Sequence, residues 1–337
     1  MRITRETMLK FAKDTVAQRV RINHRLVCIY LTGSMLQEDS LLGGSGDIDL
    51  FFIHEGEPPQ SREIVPLTDE VHLDIAHLSA VRFKQPRNLR ADAWLGSFLY
   101  SVPIPLHDTN HWFEFTQAAT GAQFNSAEYV LQRAHPFSER ARQIWLHLQT
   151  RHLQGSPEEF GDYLRALEAA ANSFAVLSGP PLSERRFLLN LPARAKNIQR
   201  PGLAVGFSDL FSTAKSELAD WSTWLQACDQ CLQDASLSPT CPPRLSAPRR
   251  FYFTHAAAAL FAINPLAALW LLLRTWTQAL MVLPTDYPGQ IIWTEALKKL
   301  DLSGPAFETR LTQLDVYLDS VEESLDVWGR QNGISAE

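Results

Sequence analysis

The chain of 337 residues is too long for one ordinary hydrophobic core, so two domains are the expectation. A composition that is 45% hydrophobic and 20% charged is that of a soluble globular protein. A formal net charge of -6 argues against a standing grip on DNA, which needs clustered Lys and Arg to neutralise phosphates; a small-molecule or protein substrate fits better.

The opening, MRITRETMLKFAKDTVAQRV, is charged and amphipathic and has no apolar secretory core. Its apolar residues Met8, Phe11, Ala12 and Val16 recur at helical spacing, which predicts a helix over 4–20. The β-branched and aromatic run 26-LVCIYL-31 reads as a buried strand ending at Thr32-Gly33. A second strand follows the glycine loop 43-GGSG-46 as 47-DIDLFFIH-54. A third, 70-EVHLDIAHL-78, alternates, with Val71, Leu73 and Ile75 on one face and His72, Asp74 and Ala76 on the other. The prolines of 102-VPIPLHD-108 make a fourth strand an edge.

Beyond residue 110 the periodicity turns helical, over 126–153, 157–178, 182–196, 214–233, 254–281, 290–299 and 305–329. The expected fold class is therefore α+β: a small mixed-sheet domain over 1–115 and a larger all-α domain over 116–337. The apolar stretch 256–273 is about long enough to span a membrane, but Asn264 and Pro265 interrupt it. It reads as two packed helical pieces, with no membrane span. Four cysteines, unevenly placed, are too few for a disulfide framework, and together with the N-terminus they point to the cytoplasm.

The chemistry concentrates in 47-DIDLF-51. Residues two apart on a strand point the same way and lie about 6.6–6.8 Å apart, so the carboxylates of Asp47 and Asp49 can converge on a cation. Without one they repel, and one pKa should rise. Asp74 stands on the polar face of its own strand; if the two strands pair, three carboxylates meet. Such a trio suits two Mg²⁺ ions about 3.5–4 Å apart. Gly33-Ser34, at the end of the first strand, offers a hydroxyl and closely approachable backbone N–H groups to an anion such as a triphosphate.

Gly33-Ser34, then twelve residues, then Asp47-Ile48-Asp49, then Leu73-Asp74-Ile75, resembles the nucleotidyltransferase superfamily typified by DNA polymerase beta. The closer likeness is to its small-molecule branch, the kanamycin-type aminoglycoside nucleotidyltransferases and the minimal nucleotidyltransferases, which also carry a helical domain after the catalytic one. The motifs cover about residues 26–80. The resemblance implies that Gly33 and Ser34 hold the nucleotide phosphates and that Asp47 and Asp49 bind both metals. It also implies that Asp74 binds the catalytic metal and helps to deprotonate the acceptor. The implied reaction transfers a nucleoside monophosphate from an NTP, ATP by family habit, to a hydroxyl of a small acceptor, releasing pyrophosphate. Its metals are Mg²⁺, as two ions, or Mn²⁺. Aminoglycoside enzymes of this kind take a glutamate base from a second domain; Glu128, Glu168 and Glu184 are the candidates. One departure stands out: Gly46 precedes the first aspartate, where the family usually has Ser or another polar residue. A protein or a tRNA end as acceptor, as in toxin–antitoxin-type relatives, and an inactive nucleotide-binding module are the alternatives.

Other signals carry plainer readings. Cys228, Cys231 and Cys241 with His255 could make a zinc site, but packed thiols account for the spacing as well. Arg142 and His147 resemble the Arg-x₄-His pair of helical ribonuclease domains, yet surface charge on an amphipathic helix explains them too. Arg82, Lys84, Arg87 and Arg90, and likewise Arg185, Arg186, Arg194 and Lys196, could reach phosphates or form solvated helix faces. Trp94 and Trp112 could stack on a base or sit in the core.

Overall fold

The computed structural model describes residues 3–37, 39–211 and 219–334. The fold is α+β, with a small mixed sheet at the N-terminal end and a larger helical region after it. The chain divides into two compact units: Met1–Ser126 together with Pro242–Ala256, and Ala127–Cys241 together with Ala257–Glu337.

In the first unit, α1 (Arg5–Ile22) precedes β1 (Leu26–Thr32), β2 (Gly46–His54), β3 (Arg62–Pro66) and β4 (Val71–Ser79). Short helices α2 (Pro86–Ala91) and α3 (Leu95–Tyr100), then β5 (Ile104–Asp108) and α4 (Trp112–Gly121), complete it. The strand order is β3-β4-β2-β1-β5, parallel only between β2 and β4. Alternation gives each face its own core. Ile48, Leu50, Leu73 and Ile75 join Leu31 and the α1 residues Met8, Ala12 and Val16. On the opposite face, Cys28, Tyr30 and Ile53 meet Leu89, Leu95, Leu99 and Phe113. The acidic side chains of β2 and β4 belong to this second face, because they alternate with the first core.

Three features go beyond the sequence reading. β3, over which that reading assigns no element, is five residues long, partly buried, and bounded by Arg62 and Pro66, which suits an edge strand but shows no periodicity. The first unit runs on past residue 115 to Ser126, since Phe113 of α4 belongs to the sheet's core, and it regains Pro242–Ala256 later in the chain. At the far end of β2 and β4, buried His54 and His77 hydrogen-bond at 3.0 Å; His77 lies 3.4 Å from Glu63, which accepts from Arg19 at 2.5 Å.

The second unit is helical. Its elements are α5 (Ala127–Gln149), α6 (Pro157–Ala175), α7 (Phe187–Asn197), α8 (Gly202–Phe211) and α9 (Trp221–Ser236). The later part of α10 (Arg250–Ile263), then α11 (Pro265–Leu280), α12 (Gln290–Lys299) and α13 (Gly304–Gln331), follow. Residues 214–218 of the helix expected over 214–233 lie outside the described residues. α8 was not anticipated, because it is short, largely apolar apart from Ser208 and Asp209, and contains Gly206, which admits the Tyr317 ring. The apolar stretch breaks as expected: Asn264 caps α11 by accepting from the Ala267 N–H at 3.1 Å, with Pro265 at the first helical position. No helix among the described residues is long and apolar enough to cross a membrane.

Candidate functional site

β1 delivers Thr32 to the sheet end, and Gly33 turns the chain at φ +76° into a short 3₁₀ turn, Gly33–Leu36. Only glycine fits there. A Cβ on Gly33 would lie 1.8 Å from Asp49 Oδ2. Arg5 of α1 steadies the turn by donating from Nε to the Met35 carbonyl at 2.9 Å.

Register brings the polar side chains together. Thr32 is opposite Asp49, Asp49 is beside Asp74, and Asp47 is beside His72. All five share one face of the sheet. Asp47 and Asp74 are buried, at 5% and 3% exposure. Burial, and then the neighbouring charges of Asp47 and Asp74, hold the Asp49 carboxyl well above the usual carboxylate range, which favours its protonated form. Thr32 Oγ1 and Ser34 Oγ are buried hydroxyls with no hydrogen-bond partner among the described residues. A buried hydroxyl left so costs about 1–3 kcal/mol, which a bound anion or water offsets.

Asp74 is differently placed. Arg62 grips it bidentately, Nε donating to Oδ1 at 2.6 Å and Nη2 to Oδ2 at 2.5 Å. Arg249 Nη1 donates to Oδ2 at 2.5 Å. The Arg249 guanidinium lies over the Tyr252 ring at 4.7 Å, and Tyr252 meets His72 edge-on at 5.1 Å. The glycine loop serves this arrangement: Gly43, at φ +63°, admits the His255 carbonyl oxygen to 2.2 Å from where a Cβ would stand. Gly46, the departure noted above, sits where a Cβ would meet Leu41 at 2.9 Å and Met8 at 3.3 Å.

The residues present fit a divalent cation and a phosphate in part. Asp47 and Asp49 point the same way from β2, the unpartnered Thr32 hydroxyl is on the residue paired with Asp49, and the unpartnered Ser34 hydroxyl is on the turn that follows. Ligand atoms of Asp47, His72 and Asp74 also lie within 4.8 Å of one another, the one such group among the described residues. Asp74, however, already receives three charge-assisted hydrogen bonds.

The other candidates take structural partners. Arg142 is held by Asp315, Asp319 and Glu322 of α13 at 2.5–2.9 Å, while His147 Nε2 lies 3.3 Å from Arg151. Glu168 binds Arg274 at 2.7–3.0 Å, Glu184 lies 3.6 Å from Arg274, and Glu128 accepts from Gln132. Cys228 and Cys231 are buried thiols, and Trp276 donates to Cys231 Sγ at 3.2 Å; with Cys241 and His255 they make no metal group among the described residues. Arg90 donates to the Ala119 carbonyl, whereas Arg82, Lys84 and Arg87 are exposed. Arg194 donates to the Pro180 carbonyl, Arg185 is buried, Arg186 is partly buried and Lys196 is exposed. Trp112 packs edge-on against Phe83, and Trp94 lies beside Phe98.

Sequence reasoning missed Arg62 and Arg249. The first lies on the unrecognised β3, and the second is next to last in the proline-rich stretch 236–250, which reads as loop. The only local signal was an arginine pair, Arg249-Arg250, directly before the aromatic run 251-FYF-253. Compared with known proteins, the chain matches no family model and no curated protein.

Proposed function

We propose that the protein is a nucleotidyltransferase that moves a nucleoside monophosphate from an NTP, with ATP the first choice, to a hydroxyl of a small acceptor. The observation that carries the reading is the contact of Gly33 with the Asp49 carboxylate, beside the unpartnered hydroxyls of Thr32 and Ser34. A phosphate-binding turn and a cation-binding carboxylate pair are thereby joined in one place.

Asp47 and Asp49 are the residues to hold a divalent cation, Mg²⁺ or Mn²⁺, which when bound supplies charge neutralisation to the phosphates. The Gly33 backbone and the Ser34 hydroxyl bind phosphate oxygens. The acceptor oxygen forms its bond to the α-phosphorus as the bond to the bridging oxygen breaks; pyrophosphate leaves and the acceptor proton is released. The residues act by positioning and electrostatics, without a covalent enzyme intermediate. Dependence on the intracellular NTP pool places the reaction in the cytoplasm.

The test is calorimetric titration with non-hydrolysable NTPs, with and without Mg²⁺, on the native chain and on Asp47→Ala/Asp49→Ala. The reading expects binding that needs Mg²⁺ and is lost in the double variant; failure of the native chain to bind any NTP would sink it. α-Labelled NTP then separates acceptors: small hydroxyl compounds, a protein, or a tRNA end. A second reading, nucleotide binding without transfer, is favoured by the engagement of Asp74 with two arginines. It expects Mg²⁺-dependent binding and no label on any acceptor.

A further inference from the structure

The partners of Asp74 do not match those of a cation ligand. A carboxylate can share a cation only while its oxygens face it with lone pairs and no competing positive charge stands alongside. Both oxygens of Asp74 accept from guanidinium groups, three hydrogen bonds in all. The two arginines arrive from separate places: Arg62 from the edge strand β3, whose Ile64 is paired with Asp74, and Arg249 from the turn before α10.

The arrangement is built. Arg249 is 4% exposed and fixed by the rings of Tyr252 and Phe253, at 4.7 and 5.4 Å. Gly43 allows the same segment to close on the glycine loop. Arg62 has 46% of its side chain exposed, so it can bind Asp74 with one edge of its guanidinium and still meet a ligand. A cation placed on Asp74 would face two fixed positive charges across one carboxylate.

We propose that Asp74 is a positioning residue and not a cation ligand. It holds Arg62 and Arg249 beside the Asp47–Asp49 pair, which takes a single divalent cation, and Arg62 supplies the further positive charge to a phosphate-bearing ligand. The inference rests on the nucleotidyltransferase reading. One divalent cation suffices: with Asp47 and Asp49 ionised around it, the cation and the two arginines outweigh the three carboxylates and leave the site net positive. The competing arrangement places a cation among Asp47, His72 and Asp74, whose ligand atoms lie within 4.8 Å of one another. That arrangement needs Asp74 as a ligand.

The experiment counts bound Mn²⁺ by electron paramagnetic resonance in the presence of a non-hydrolysable ATP analogue. Native chain is compared with Asp74→Asn, with Asp74→Asn/Arg249→Gln, in which no buried guanidinium has lost its carboxylate, and with Arg62→Ala and Arg62→Lys. Thermal melting identifies any variant that does not fold. The expected result is a single Mn²⁺ per native chain, kept within about threefold in affinity in Asp74→Asn/Arg249→Gln, whose net charge is unchanged, and kept but weakened in Asp74→Asn, whose arginines lose their carboxylate. Analogue affinity should fall about tenfold in Arg62→Ala and recover in part in Arg62→Lys. A second Mn²⁺ on the native chain, lost when Asp74 is replaced, overturns the inference and leaves the nucleotidyltransferase reading standing. Loss of the single Mn²⁺ in the folded double variant overturns it likewise and assigns Asp74 to the cation. A native chain that binds neither Mn²⁺ nor analogue removes both.

Discussion

Gly33 and Asp49 are in contact across β1 and β2 so closely that a Cβ on the glycine would stand 1.8 Å from the Asp49 carboxylate. The glycine also holds φ +76°, which L side chains rarely adopt. Gly33→Ala therefore incurs both a backbone and a steric cost. Gly44 shares the same φ, +76°, but has nothing within 4 Å of its would-be Cβ, so Gly44→Ala incurs the backbone cost alone. Urea unfolding should show a loss of about 1 kcal/mol for Gly44→Ala and about 2–4 kcal/mol for Gly33→Ala. Mg²⁺-dependent NTP binding should disappear only in the second. Equal losses in the two variants would mean that the Asp49 contact relaxes freely.

The buried histidine pair gives the first unit a pH dependence. Burial, and then the neighbouring His77 and Arg25, lower the pKa of His54; burial lowers that of His77, against an opposing pull from Glu63. Both imidazoles bind protons less readily folded than unfolded. The stability their neutral forms contribute is intact above the ordinary histidine pKa of about 6.5 and is lost as pH falls through it toward the lowered values. Unfolding free energies at about pH 7.5 and about pH 5 should differ less in His54→Gln/His77→Gln than in the native chain. The same acid loss in both would exclude the pair as its source.

Arg142 is engaged by three carboxylates of α13, and those hydrogen bonds, Glu322 first, raise its pKa. Trp145, one turn on, donates to the Leu311 carbonyl at 2.9 Å and continues the α5–α13 seam. Arg142→Ala leaves Asp315, Asp319 and Glu322 repelling one another. It should cost about 1–3 kcal/mol in denaturant unfolding, with a deficit that shrinks in about 1 M salt. A loss of metal-independent RNA cleavage in this variant, with stability unchanged, would restore the ribonuclease reading of the Arg142–His147 pair.

The parts of the site that could be read from the chain alone are those written within a few residues. Alternation in 47-DIDLFFIH-54 and 70-EVHLDIAHL-78 assigns Asp47, Asp49 and Asp74 to the polar face, and the pairing of Asp49 with Asp74 puts them side by side. Gly33-Ser34 is likewise local, because a strand end followed by glycine signals its own turn. What remained hidden depends on distance. Arg62 lies 12 residues from Asp74 on a strand too short for a periodic signal, and Arg249 lies 175 residues away in a stretch that reads as loop. No local pattern encodes that residues 242–256 rejoin the sheet unit. The helical unit was legible where a helix carried one apolar face, and α8, short and largely apolar apart from Ser208 and Asp209, was not.

The link between Asp74 and Arg249 is one tie of that returning segment to the sheet, and its strength can be measured. Both side chains are buried, and the guanidinium donates to Oδ2 at 2.5 Å. Breaking a buried ion pair from one side leaves a charge with less compensation than it was built for, which costs more than removing both charges together. Asp74→Asn and Arg249→Gln should each lower the unfolding free energy, the first by about 3 kcal/mol. The double variant should lose less than the sum by about 1–3 kcal/mol, since neither charge remains to be compensated. Urea unfolding of the four proteins gives this coupling directly. Additive losses would show that Arg249 and Asp74 are stabilised independently, and the anchoring of residues 242–256 would then have to come from the Gly43–His255 approach and the aromatic contacts of Tyr252.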